Sequence, residues 1–366
     1  DRNVRKLYES FSAERGQILA GGIPVARSVP VDNQFRFLRT YPFGDLYAPV
    51  IGYYTLNQGN AGIESALNPV LTGRASSQIL DQLTSLVTGS TPEGASIQLT
   101  LDPEIQQTAY DALGDRRGAV VVLDPATGRV LAMVSKPSFD PNRLAAHSTS
   151  TVLDAYNEFS EDPANPLANR AIAGDQYLPG SVFKVLMTAA ALESGGYTAE
   201  STFLNPSELA LPLSTKSIKN SGGRLCGGEE TVTLEQAFRL SCNIPYAELG
   251  LELGETAIGS LADDFGFGAT LEIPLPVTPS NFPRGLDDAQ LMLSSFGQFD
   301  VRVTPLQVAM LSAGVANGGV LMKPNLVDQV IAPDLRVLQS YEPTVYSRPL
   351  SPSVAQEMTR MMVLNV

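Results

Sequence analysis

Eight residues, Tyr177-Leu-Pro-Gly-Ser181-Val-Phe-Lys184, open a long apolar run and constrain the fold more than any other segment. Pro179-Gly180 marks a helix start, and 181–194 reads as a buried helix ended by Gly195-Gly196. Ser181 then sits at its N-terminal end, and the spacing of three puts Ser181 and Lys184 on one helix face. Val182, Phe183, Val185, Leu186 and Met187 flank the lysine, so a charge there is costly without a partner or a task. Burial lowers a lysine pKa, and the helix dipole favours negative charge on the serine oxygen. The Ser-x-x-Lys spacing alone is weak, since roughly half a match is expected by chance in such a chain.

A second segment, Leu240-Ser241-Cys242-Asn243, follows the amphipathic pattern Leu234-Glu-Gln-Ala-Phe-Arg-Leu240. Ser and Asn are ordinary helix-capping and turn residues, which is one reading of it. The other adds a Ser/Asn pair to the Ser/Lys pair. That set equips a serine for acyl transfer without histidine. The chain has only one histidine in 366 residues, which closes most other routes to an activated serine.

Composition excludes several classes. A net charge of −13 and a pI near 4.6 argue against a nucleic-acid binder, which needs a positive field. Two cysteines and one histidine, with no HExxH or CxxC spacing, argue against a metal enzyme. No apolar run approaches the roughly 18 residues of a membrane-spanning helix.

Residues 1 to about 90 are rich in Gly, Tyr, Pro and Asn and predict extended segments and loops, including 50–54, with a helix over 76–87. Gly89-Ser-Thr-Pro-Glu-Gly94 reads as a linker. Asp102-Pro103 caps a helix over 104–113. The runs 118–124 and 129–135, joined by Pro125-Ala-Thr-Gly128, predict an antiparallel hairpin. Further helices fit 234–240, 246–253 after the breaker Pro245, 257–265, 305–316 and 354–362. A hairpin followed by several helices argues for an α+β class. His147 reads as a surface loop residue, and Asp263-Asp264 and Asp287-Asp288 as solvated faces.

The two segments together resemble penicillin-binding proteins. Tyr177 to Lys184, with Ala189-Ala-Ala-Leu-Glu193, is similar to their active-site helix. The hairpin with Lys136-Pro-Ser-Phe-Asp-Pro-Asn142 is similar to the strand pair that opens their transpeptidase domain. Ser295-Phe-Gly-Gln298, Val303-Thr-Pro-Leu-Gln307 and Ala316-Asn-Gly-Gly319 resemble a later helical segment. Arg15-Gly-Gln-Ile18, Gly59-Asn-Ala-Gly-Ile-Glu64 and Leu71-Thr-Gly73 resemble the pedestal of the class B, monofunctional enzymes. The stretch Tyr41 to Tyr53 is most similar to the actinobacterial penicillin-binding protein A group.

The resemblance implies a penicillin-binding, serine β-lactamase-like transpeptidase domain at 93–366, an antiparallel sheet flanked by helices, after an N-terminal pedestal, dimerisation-like, at 1–92. It implies a D-Ala-D-Ala transpeptidase acting on peptidoglycan stem peptides derived from lipid II, with Ser181 as nucleophile and Lys184 as base. Ser241 would relay a proton, and Asn243 would bind substrate and orient the lysine. β-Lactam antibiotics would acylate Ser181, and no cofactor or metal is needed. The expected location is the extracytoplasmic face of the cell membrane, with an N-terminal anchoring helix absent from this chain and a SEDS-family glycan polymerase as membrane partner. A disulfide-permissive compartment implies a Cys226–Cys242 bridge, against the alternative of two separate buried thiols. One family motif, Lys-Thr/Ser-Gly, has no match and is expected beyond Met362, so the transpeptidase part reads as truncated. A serine β-lactamase, a DD-carboxypeptidase and a non-catalytic β-lactam sensor or division scaffold are the alternatives.

Overall fold

Asp102 starts the first long helix as the sequence predicts. Its side chain accepts the N–H groups of Glu104 and Ile105, and the helix runs Pro103–Leu113. In this computed structural model residues 11, 13–75, 78, 93–174 and 176–364 are described. All of the helix expected over 76–87 except residue 78, and most of the 89–94 linker, lie outside them. The Pro103–Leu113 helix docks through Gln106, which is fully buried. Its Nε2 donates to the carbonyls of Leu46 and Met133, and its Oε1 accepts the N–H of Met133 at 2.9 Å. Met133 lies on the expected hairpin, in which Gly118–Leu123 and Val130–Lys136 pair antiparallel with Gly118 opposite Lys136.

A six-stranded sheet ties the two ends of the chain together. Its order is Val337–Ser340, Val327–Ile331, Ser96–Leu99, Ile18–Ala20, Ile23–Pro30 and Phe37–Thr40. Ile18–Ala20 runs parallel to Ser96–Leu99, with Ile18 opposite Ile97, and the other pairings are antiparallel. The sheet therefore spans the expected 92/93 division. Gly16 makes the approach of its first strand possible, because a Cβ there would lie 2.0 Å from the carbonyl oxygen of Ala95.

Glu64 fastens the N-terminal part. It sits on the short helix Gly62–Ala66 with no solvent exposure. Arg15 Nε and Arg39 Nε each lie 2.6 Å from one of its carboxylate oxygens. Arg15 also donates to the Glu64 carbonyl at 2.6 Å and to Asn68 Oδ1 at 2.7 Å, and Arg39 donates to the Gly16 carbonyl at 2.8 Å. Burial alone would raise the Glu64 carboxyl, but the two guanidiniums outweigh it and hold it below its ordinary value.

The helical core surrounds Lys184–Glu193, which contacts the helices Leu234–Arg239, Ile244–Asp264, Pro305–Ala316 and Pro352–Val363. Leu186, Met187, Ala189 and Ala191 are buried on several of its faces, as expected of a helix apolar all round. Several expectations are corrected. The stretch 50–54 is not extended throughout, since Ala48–Ile51 forms a helical turn with Pro49 in its first turn. Pro245 does not break a helix but opens one: Ile244–Asp264 carries it in its first turn and is interrupted only at Gly254, φ 75°. Thr149–Glu161 and Asp288–Ser294 are helices that the sequence reading missed. Asp287 caps the latter by accepting the Gln290 N–H, and Asp263 pairs on the surface with Arg284, so both acid pairs lie on solvated faces. His147 is not a free surface residue: it is half-buried, its ring 4.4 Å from that of Phe35 and its Nδ1 3.2 Å from Asn33 Nδ2.

The Glu64 cluster generates a stability prediction. Glu64→Gln leaves two buried guanidiniums without their counter-ion and is expected to cost about 3–5 kcal/mol in chemical denaturation. Because the folded carboxyl is held below its unfolded value, its contribution is complete above the ordinary 4.5 and is lost as pH falls through the lower folded value. The wild type should therefore lose stability below about pH 4.5 more steeply than Glu64→Gln. Equal stability of the two proteins at neutral pH would contradict the assignment.

Candidate active site

The turn that carries Ser181 is stitched to a second segment before it enters its helix. Tyr177 and Val303 exchange two backbone hydrogen bonds of 2.9 Å, and the Gly180 N–H donates to the Gly297 carbonyl at 3.0 Å. Gly297 is required there: its φ is 74°, and a Cβ would lie 2.1 Å from the Gly180 carbonyl oxygen. From Gly180 the chain forms one tight 3₁₀ turn, Gly180–Phe183, and only then the α-helix Lys184–Glu193. Ser181 thus stands on a 3₁₀ turn ahead of the α-helix, exposed to the cleft, while Phe183 is buried against Phe282, with ring centroids 5.7 Å apart.

Lys184 is 1% exposed. Its Nζ lies 3.2 Å from Ser181 Oγ, 2.8 Å from the Ser241 carbonyl, 3.1 Å from Ser241 Oγ and 2.8 Å from Asn243 Oδ1. Among the described residues no carboxylate is ion-paired to it, and burial pulls its pKa down to about 8. The Tyr246 ring centroid, 5.5 Å away, forms part of this apolar surround. Behind it Tyr246 OH and Thr188 Oγ1 are 2.5 Å apart. The two nearest groups, the Ser241 carbonyl and Asn243 Oδ1, can only accept. A neutral amine would give them its two hydrogens and keep its lone pair for the hydroxyl hydrogen of Ser181.

Ser241 reaches the lysine because of how its helix ends. Leu234–Arg239 begins with a capping box between Thr233 and Gln236. It ends with Ser241 in the left-handed region, φ 56°, where the Cys242 N–H returns to the Ala237 carbonyl at 2.9 Å. Glycine is the usual occupant of that position, and a serine there costs about 1–2 kcal/mol. The capping reading and the functional reading of Ser241-Cys-Asn243 therefore describe the same turn. Cys242 is joined to Cys226 in a disulfide, 16 residues apart in sequence, immediately beside that turn.

Ser181, Lys184, Ser241 and Asn243 are thus brought into one cluster. It opens onto a cleft of about 490 Å³ whose walls differ. Ser217, Lys219 and Asn243 are polar, whereas Leu293, Phe296 and Phe299 are apolar. The sequence reading missed this cleft and the strand Ser217–Lys219, whose Lys219 carbonyl accepts the Asn243 amide at 3.0 Å. Three residues give no periodicity, and the only signal was the turn-forming Asn220-Ser-Gly-Gly223 that follows.

Residues 118–366 match the model of the penicillin binding protein transpeptidase domain, and 15–97 match the penicillin binding protein A dimerisation domain. The chain is 42% identical to the peptidoglycan D,D-transpeptidases PbpA of Mycolicibacterium smegmatis and Mycobacterium tuberculosis, across 99% of this chain and 74% of each relative. It superposes with a TM-score of 0.95 and 41% identity on M. tuberculosis penicillin-binding protein A in its ceftriaxone acyl-enzyme complex, covering 98% of this chain and 81% of that one. The penicillin G acyl-enzyme complex of the same protein gives 0.94 at 41% identity, over 97% and 82% of the two chains. With its transpeptidase match spanning most of its length, this chain belongs to the penicillin-binding protein transpeptidase family.

Proposed function

We propose that the chain is a peptidoglycan D,D-transpeptidase that acts through an acyl-enzyme on Ser181. The observation that carries this reading is the uncharged environment of Lys184, with its amine 3.2 Å from Ser181 Oγ. A lysine with a pKa near 8 can be neutral in a useful fraction at working pH and take a proton from a hydroxyl. Ser181 Oγ then attacks the carbonyl of a D-Ala-D-Ala stem peptide as its proton passes to Lys184 Nζ. The tetrahedral oxyanion forms beside the N-terminal end of the Ser181 turn, where backbone N–H groups favour negative charge.

Collapse of that intermediate breaks the D-Ala amide bond, and the leaving nitrogen needs a proton. Ser241 Oγ, 3.1 Å from Lys184 Nζ, is placed to pass it on. Asn243 holds the lysine through Oδ1 and offers an amide edge toward the cleft for the peptide backbone. The amine of a second stem peptide attacks the acyl-enzyme and restores Ser181. β-Lactams carry the same reactive amide in a ring and would acylate Ser181 by the first half of this sequence. The related penicillin-binding protein A of M. tuberculosis is seen as acyl-enzymes with ceftriaxone and with penicillin G.

The division at 92/93 is retained as a pedestal, 1–92, and a catalytic part, 93–366, that share one sheet. The Cys226–Cys242 bridge favours an oxidising compartment, in keeping with an extracytoplasmic site at the membrane. Among the described residues no helix is long and apolar enough to cross a membrane. A SEDS-type glycan polymerase is the partner we propose for the pedestal.

Two outcomes test the chemistry. Intact-mass analysis after benzylpenicillin should show a single stable adduct in the wild type and none in Ser181→Ala; an adduct that persists in Ser181→Ala would remove Ser181 from its role. The acylation rate should depend on neutral Lys184, falling about tenfold per pH unit below about pH 8 and levelling above it. A rate independent of pH between 6 and 9, read by stopped-flow with a chromogenic cephalosporin, would exclude the lysine as base.

A further inference from the structure

Asn243 has two demands on one side chain. It is the N-cap residue of Ile244–Asp264, a position whose side chain ordinarily satisfies the first orphan N–H groups of the helix. Here it makes no cap hydrogen bond, because its Oδ1 holds Lys184 at 2.8 Å and its Nδ2 donates to the Lys219 carbonyl at 3.0 Å. The N–H groups at the helix start go elsewhere. Asn243 N and Ile244 N both donate to Asn220 Oδ1, at 2.8 and 3.1 Å, and Pro245 has no N–H to place.

Asn220 is itself fixed. It is 3% exposed, and its Nδ2 donates to Asn205 Oδ1 at 2.9 Å and to the Pro206 carbonyl at 3.4 Å. Asn205 is fully buried; its Nδ2 donates to the carbonyls of Cys226 and Glu229 at 2.7 and 2.8 Å, and its Oδ1 also accepts the Cys226 N–H at 3.3 Å. Each amide thus makes two donations and two acceptances, so neither can turn over without leaving buried polar atoms unmatched. The pair runs from the Cys226 loop to the backbone of Asn243.

We propose that Asn220 is a positioning residue for acylation: by accepting the N–H groups of Asn243 and Ile244 it fixes the backbone from which the Asn243 amide holds Lys184. The idea rests on the Ser181 acylation reading above. In Asn220→Ala the N–H groups of Asn243 and Ile244 lose their acceptor, and the turn that carries Asn243 loses its anchor. The hold of Asn243 Oδ1 on Lys184 loosens, while Ser217, Leu293, Phe296 and Phe299 of the cleft stay in place.

The test is pre-steady-state acylation by benzylpenicillin, which separates the chemical rate from the half-saturating concentration. Asn220→Ala is expected to acylate about 10- to 100-fold more slowly, with half-saturation changed by less than about threefold. A rise in half-saturation as large as the fall in rate would mark loss of the cleft itself and would overturn the proposal. An unchanged rate in Asn220→Ala would overturn it as well. If Asn220→Ala does not fold by circular dichroism, Asn205→Ala takes its place, where a rate at least about threefold lower supports the role and an unchanged rate overturns it. Failure of the acylation reading is a separate result, since it would appear as no Ser181-dependent adduct in the unmodified protein.

Discussion

Much of the catalytic half is organised by one cost, that of placing an amine inside an apolar helix. Lys184 is enclosed by the helices around Lys184–Glu193, and a buried ammonium without partners would be prohibitive. The protein answers with neutral acceptors, a backbone carbonyl and an amide oxygen at 2.8 Å each, instead of a carboxylate. A carboxylate would stabilise the ammonium and raise the pKa, whereas with neutral acceptors the cost of burial prevails and the basicity stays low. That choice explains why a chain with a single histidine can activate a serine.

The acceptors must then be rigid, and each is held by something other than the lysine. The Ser241 carbonyl is aimed by a left-handed residue at a helix terminus, and the adjacent Cys242 is bonded to Cys226. Asn243 is held by the strand Ser217–Lys219 on its side chain and by Asn220 on its backbone. Ser181 is held by the glycine contact between Gly180 and Gly297. The site is thus a meeting of three turns, each with its own anchor.

The same contrast between local and non-local structure decides what was legible in the sequence. The Pro103–Leu113 helix and the 118–136 hairpin are written in caps, periodicity and turn residues, and each folds largely on neighbours in the chain. Ser181 and Lys184 were legible because a lysine among Val, Phe, Leu and Met needs a reason. The six-stranded sheet was not, since its strands are short and its partners come from both ends of the chain. Pro245 was misread because proline breaks a helix interior but suits a first turn, and only the position of the start distinguishes the two. Asn205 and Asn220 gave no signal, because a buried asparagine reads locally like any turn residue.

Lys184 is a base made weak by burial. Its titration can be followed by heteronuclear NMR of protein carrying lysine labelled at Cε, with Lys184→Met used to assign the resonance. A midpoint near pH 8 is expected in the unacylated protein. A midpoint at the ordinary value of 10.5 would contradict it, and would leave Ser181 without a base.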